Sequence, residues 1–198
     1  MVNYFELIKT PRKFFKSVEE ETILDTIKRV TIPLIFFITI LLFLSNHTLA
    51  YIETITGLKP VSNLALQIVL SIIFLSFSII ISAALIQLGL MILKIKSKFR
   101  QTIKAIIYPT VFISAFMILI QLILLITPIL IARFIIYIIT AIILFIWSAI
   151  LTIVGLSELN KTSIRKAVGA YFLSLALIIG IYIMISIIFT ALNILGLV

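Results

Sequence analysis

Long runs of apolar residues, broken by short polar and basic stretches, fill most of the chain. A helix rising 1.5 Å per residue needs about 20 consecutive apolar residues to cross about 30 Å of hydrocarbon. Five stretches reach or approach that length: about 30–50, 64–93, 105–126, 128–156 and 167–195. Barrel strands alternate polar and apolar residues in segments of about ten, whereas these runs are apolar on every face. Only helices and closed barrels satisfy every backbone group in lipid, so the pattern predicts helices. The third stretch sets the energetic scale. Its 14 Ile, Leu, Val and Phe residues contribute roughly −0.3 to −0.6 kcal/mol each, on the order of −4 to −8 kcal/mol in all. Thr110, Ser114 and Gln121 reduce that sum without reversing it.

Punctuation between the runs suggests where helices begin. Tyr108-Pro109 and Thr127-Pro128 put proline where a helix can start, since a first-turn amide lacks a partner anyway. Ser17-Val18-Glu19-Glu20 reads as a capping box leading toward the first span, with Pro33 as a kink inside it. Thr162 or Ser163 would cap the fifth helix, and Gly57 with Pro60 marks a turn in the longest outer loop. The expected architecture is an all-α integral membrane protein. A short cytosolic amphipathic segment, 1–29, precedes a bundle of five transmembrane helices over 30–198.

Composition agrees. Of 198 residues, 63% are hydrophobic and 12% charged, against roughly 25% charged in a soluble domain. With no cysteine, disulfides and thiolate metal sites are excluded. The residues before Val30 are too many and too acidic for a cleavable leader, so the first span is expected to be an uncleaved anchor.

The net charge of +9 sits beside the apolar runs, as in proteins that fix their orientation and meet anionic headgroups. Nucleic acid is not an expected partner. With five spans, one side carries Lys9, Arg12, Lys13, Lys16, Lys28 and Arg29; Lys94, Lys96, Lys98, Arg100 and Lys104; and Lys161, Arg165 and Lys166. The other side has only Lys59 and Arg133. The positive-inside rule then puts the N-terminus in the cytoplasm and the C-terminus outside a cell membrane.

Chemistry is sparse. Ionisable groups inside membranes are costly and usually functional, yet the span centres contain no Asp, Glu, Lys or His. Arg133 can snorkel to the interface, and His47, the one histidine, has no metal-binding partners. Asp25 is the only aspartate, which excludes an intramembrane aspartyl dyad. No enzyme activity, metal or cofactor is expected.

Three features rise above the hydrophobic background. Arg12, Lys13, Phe14, Phe15 and Lys16 mix cations with rings, which suits a helix lying in the interface; an ordinary juxtamembrane flank is the alternative. Lys94, Lys96, Lys98, Arg100 and Lys104 would meet anionic lipid or an acidic cytosolic partner, although topology alone accounts for them. Ala170/Ser174 and Ala176/Gly180 are pairs four apart, a spacing that lets helices approach closely. Packing within the monomer is the expected use, and dimerisation the other.

Pro11-x-x-Phe14-Phe15, Tyr108-Pro109, Gly155-Leu156-Ser157-Glu158 and Ser163-x-x-Lys166-Ala167, spread over five spans, resemble the prokaryotic branch of the Yip family of Ypt/Rab-interacting membrane proteins. The resemblance implies a compact five-helix bundle and, in eukaryotic relatives, vesicle trafficking through prenylated small GTPases. Those relatives carry an Asp-Leu-x-Gly-Pro type motif before the first span, which this sequence lacks. The expectation is therefore a non-enzymatic membrane scaffold or membrane-organising, trafficking-type factor. Its contacts would be anionic lipid headgroups and a membrane or cytosolic protein. The alternative is a small transporter or channel, should Gln67, Gln87, Gln121, Ser71, Ser78 and Ser82 converge on a polar cavity at mid-depth.

Overall fold

The computed structural model describes residues 4–56, 64–127 and 130–194. Among them are seven helices and no strand: α1 (Tyr4–Lys9), α2 (Pro11–Ser17), α3 (Ile23–Thr56), α4 (Leu64–Ile92), α5 (Phe99–Ile126), α6 (Leu130–Leu159) and α7 (Ile164–Ile194). Helices α4 to α7 have 28 to 31 residues, about 42 to 47 Å, enough for hydrocarbon and headgroups together. Four segments within them are long and apolar enough to cross a membrane: Leu66–Ile92, Phe99–Ile126, Ile135–Leu159 and Ile164–Met184. They overlap the second to fifth expected stretches. The first stretch lies in α3, whose side chains from 43 onward are outside the described residues, as are Gly57, Pro60 and Pro128.

Two boundaries differ from the sequence expectation. Helix α5 begins at Phe99, so Pro109 lies inside it rather than at its start. Hydropathy overlooked the polar first turns because their side chains are bonded or buried within the protein: Thr102 and Lys104 are both fully buried. The capping box is Thr22–Asp25, not Ser17–Glu20. The Asp25 amide donates to Thr22 Oγ1 at 3.1 Å and the Thr22 amide to Asp25 Oδ2 at 3.3 Å. Bonds from the Thr22 hydroxyl and amide hold the Asp25 carboxyl below the usual carboxylate range. Ser17 instead donates its hydroxyl to the Phe14 carbonyl at 2.7 Å, closing α2.

Helix α5 is the hub, packed against α3, α4 and α6; α7 closes against α4 and α6, and α2 lies on α6. The main core joins the start of α3, the end of α4, the start of α5, the end of α6 and the start of α7, with Leu7, Phe14, Phe15 and Val18 among its members. It therefore sits at the basic end. Elsewhere the helices show apolar side chains outward: Ile32, Phe74 and Ile126 are 76%, 77% and 81% exposed. A belt of that kind is at home in lipid, where it meets no water.

Candidate functional site

Helix α2 begins on Pro11, whose fixed φ suits the first helical position. Phe14 and Phe15 follow each other on it, so their side chains leave the helix in different directions. Both are nonetheless buried, at 1% and 0% exposure, because α2 rests in a groove between α5 and α6. Phe14 meets Tyr108 edge-to-face, with ring centroids 5.1 Å apart, and Phe15 at 5.5 Å. The Phe15 ring fills a socket over Gly155 and Ala105. A Cβ on Gly155 would come within 2.7 Å of Phe15 Cζ and 3.1 Å of Ala105 Cβ. Any larger residue there forces the Phe15 ring to shift.

The turn after α2 is tied down by polar groups. The fully buried Lys104 directs its ammonium to the carbonyls of Val18, Glu19 and Glu21 at 2.6, 3.0 and 2.6 Å. Three donors meet three acceptors, which satisfies an otherwise costly buried cation. The Tyr108 hydroxyl donates to Glu21 Oε2 at 2.6 Å, and Arg29 pairs with the other Glu21 oxygen. At the surface, Arg12 lies 3.5 Å from Glu158 and Lys161 2.8 Å from Glu19. The Glu19 carboxylate holds the Lys161 ammonium above its usual pKa.

The two basic turns share one geometry. Ile95 N–H donates to the Leu90 carbonyl and Lys94 N–H to that of Met91, both at 2.9 Å. Thr162 and Lys161 repeat the pattern onto Ser157 and Glu158, at 3.0 and 3.3 Å. Both are Schellman endings, with lysine at φ 55° and 50° in the left-handed position that usually takes glycine. Gln87 buckles the first turn: its amide donates to Ser97 Oγ at 2.8 Å and accepts from Thr102 Oγ1 at 2.8 Å. Its polarity is thereby used within the protein.

The candidate residues divide accordingly. Arg12, Lys13, Lys16, Lys94, Lys96 and Lys98 are exposed at this end, and Arg100 is half-buried. Phe14, Phe15 and Lys104 do not face lipid or headgroups. Their expected interfacial role is corrected, because the rings and the ammonium find better partners inside the protein. Ala170 and Ser174 are buried, and a Cβ on Gly89 of α4 would sit 2.8 Å from the Ala170 carbonyl. Ala176 and Gly180 face outward, and nothing approaches Gly180 within 4 Å, so packing inside the monomer is corrected for that pair. Gly89, the bond from Tyr108 to Glu21 and the socket role of Gly155 escaped the sequence reading. Gly155 stood in a quoted motif, but nothing local says which ring it admits.

An apolar helical belt, several membrane-crossing helices and a tightly fastened basic end define a multi-pass α-helical membrane protein. The Yip1 domain matches residues 5–188, and the chain belongs to that family. The match starts within α1, so the docked N-terminal helices are part of the domain and not an appended tail. Comparison with curated proteins and with solved structures gives no match.

Proposed function

We propose that this chain is a non-enzymatic scaffold of the cell membrane, of the prokaryotic branch of its family, with five spans, a cytoplasmic N-terminus and an outer C-terminus. Its contact surface is the basic end, which gathers anionic headgroups and presents a rigid cationic face to a membrane or cytosolic protein. The observation that carries this reading is the docking of α2. Phe14 and Phe15 in their groove, with Lys104 on the following turn, fix Arg12, Lys13 and Lys16 on the same end as Lys94, Lys96 and Lys98. Fixed cations lose less side-chain and chain entropy on meeting a partner than a free tail does. A transport reading lacks support, because Gln87 is bonded to Ser97 and Thr102 instead of lining a passage.

The test is lipid enrichment around the full chain in nanodiscs of equal phosphatidylglycerol and phosphatidylcholine. Bound phosphatidylglycerol is expected to exceed its bulk share and to fall toward it when Arg12, Lys13, Lys16, Lys94, Lys96 and Lys98 become Gln, with insertion intact. Unchanged enrichment in that variant sinks the proposal. Reporter fusions at Val198 check the orientation, and a cytoplasmic readout there overturns it.

A further inference from the structure

Between α4, α6 and α7, above Ile106 of α5, lies a cleft of about 220 Å³. Its hydroxyl-bearing lining residues sit about 10–16 Å inside the basic ends of their helices at 1.5 Å per residue, within the hydrocarbon. Ser82, Ser148, Thr152, Tyr171 and Ser174 bring five hydroxyl-bearing side chains to it. Ser174 donates to the Tyr171 carbonyl at 2.6 Å. Among the described residues, the hydroxyls of Ser82, Ser148, Thr152 and Tyr171 have no hydrogen-bond partner. Elsewhere in the spans, Thr110, Ser114 and Thr140 bond back to the carbonyl four residues earlier. Thr152 is only 5% exposed. A hydroxyl left unpaired in an apolar medium is costly.

Hydroxyls both donate and accept, so four of them without a partner in one crevice point to a polar occupant. No Asp, Glu, Lys, Arg or His lines the cleft, so that occupant carries no charge. The volume of 220 Å³ equals about seven waters at ~30 Å³ each, room for a small polar head but not for acyl chains. The chains have an exit: from Ile178 to Met184 α7 stands clear of the bundle, with Ile179 60% and Tyr182 72% exposed. We propose that the cleft binds the head of an uncharged glyceride lipid, whose ester carbonyls accept hydrogen bonds from Ser148, Thr152 and Tyr171. This goes beyond the scaffold reading and is independent of the exposed cations.

The probe is a diacylglycerol carrying a diazirine and an alkyne, added to the full chain in phosphatidylcholine nanodiscs. Saturable labelling is expected on residues 145–152 and 171–178, displaced by excess unlabelled diacylglycerol. The triple variant Ser148→Ala, Thr152→Val, Tyr171→Phe should lose about tenfold in labelling, whereas Ser78→Ala, on an exposed position, should lose none. Undiminished labelling of a triple variant that keeps the wild-type gel-filtration profile overturns the proposal. So does equal, saturable labelling by a phosphatidylcholine probe with the same chains, or labelling that excess diacylglycerol does not displace. The last two arms use the wild-type chain and do not depend on how the variant folds.

Discussion

At the basic end, α2, α5 and α6 enclose two phenylalanine rings and an ammonium with almost no exposed surface. Toward the other end α4 and α7 leave Phe74 77% and Tyr182 72% exposed, and the described core shrinks to Ile120, Leu124 and Leu144 between α5 and α6. The contrast follows from the solvent. Near the headgroups water is at hand, so burying rings is favourable and polar groups must be paired. Deeper in hydrocarbon, a leucine gains little by leaving lipid for another leucine. The close crossing of α4 and α7, where Gly89 meets the Ala170 carbonyl, lies toward the basic end and has no described counterpart deeper in the spans. Splaying of α7 beyond that crossing is the expected result of having no such contact.

The comparison can be broken most sharply at the aromatic socket. Phe15→Ala should cost about 3–5 kcal/mol of stability and open Arg12, Lys13 and Lys16 to trypsin; Phe74→Ala, on the lipid-facing side, should change the detergent melting temperature little. If both variants melt alike, the basic end is not the tighter one. Gly155→Ala should cost about 1–3 kcal/mol alone and much less beside Phe15→Ala, because the clashing ring is gone. A double-mutant cycle that adds without coupling would remove the socket.

Next in size is the buried ammonium. Lys104→Met leaves the carbonyls of Val18, Glu19 and Glu21 without their donor and should cost about 2–3 kcal/mol. Faster hydrogen exchange is expected across residues 11–22, with α6 and α7 unchanged; wild-type exchange there would show that the turn holds without Lys104. The smallest effect should come from Lys94→Gly, which relieves the left-handed backbone at φ 55° and should add about 0.5–1 kcal/mol. Destabilisation by that change would mean that the lysine side chain contributes more than its strained backbone costs.

Which parts of this were readable in advance depended on how local their physics was. Segments 64–93 and 105–126 announce helices through unbroken apolarity, because insertion energy adds residue by residue. Lys104 carried the opposite signal. At the edge of an apolar run a lysine reads as a headgroup anchor, and only the approach of the turn at Val18–Glu21, more than eighty residues away, turns it into a buried bolt. Phe14 and Phe15 misled in the same way. Rings beside cations look interfacial until a groove between two distant helices accepts them. Ala170 and Ala176 begin identical small-residue spacings, yet only the first faces α4, and the spacing does not encode which face α7 turns inward.

The amino-acid sequence by itself determined that this protein lives in lipid, that it is helical there, and that its cations gather around a few connections. Those properties are sums over neighbouring residues and survive any rearrangement of the helices. Tertiary structure alone decided that the N-terminal helices dock as part of the bundle, that Gly155 makes room for Phe15, and that hydroxyls from three helices share one crevice. Each of these is a meeting of residues far apart in the chain, and such meetings are fixed by packing geometry, which no local pattern records.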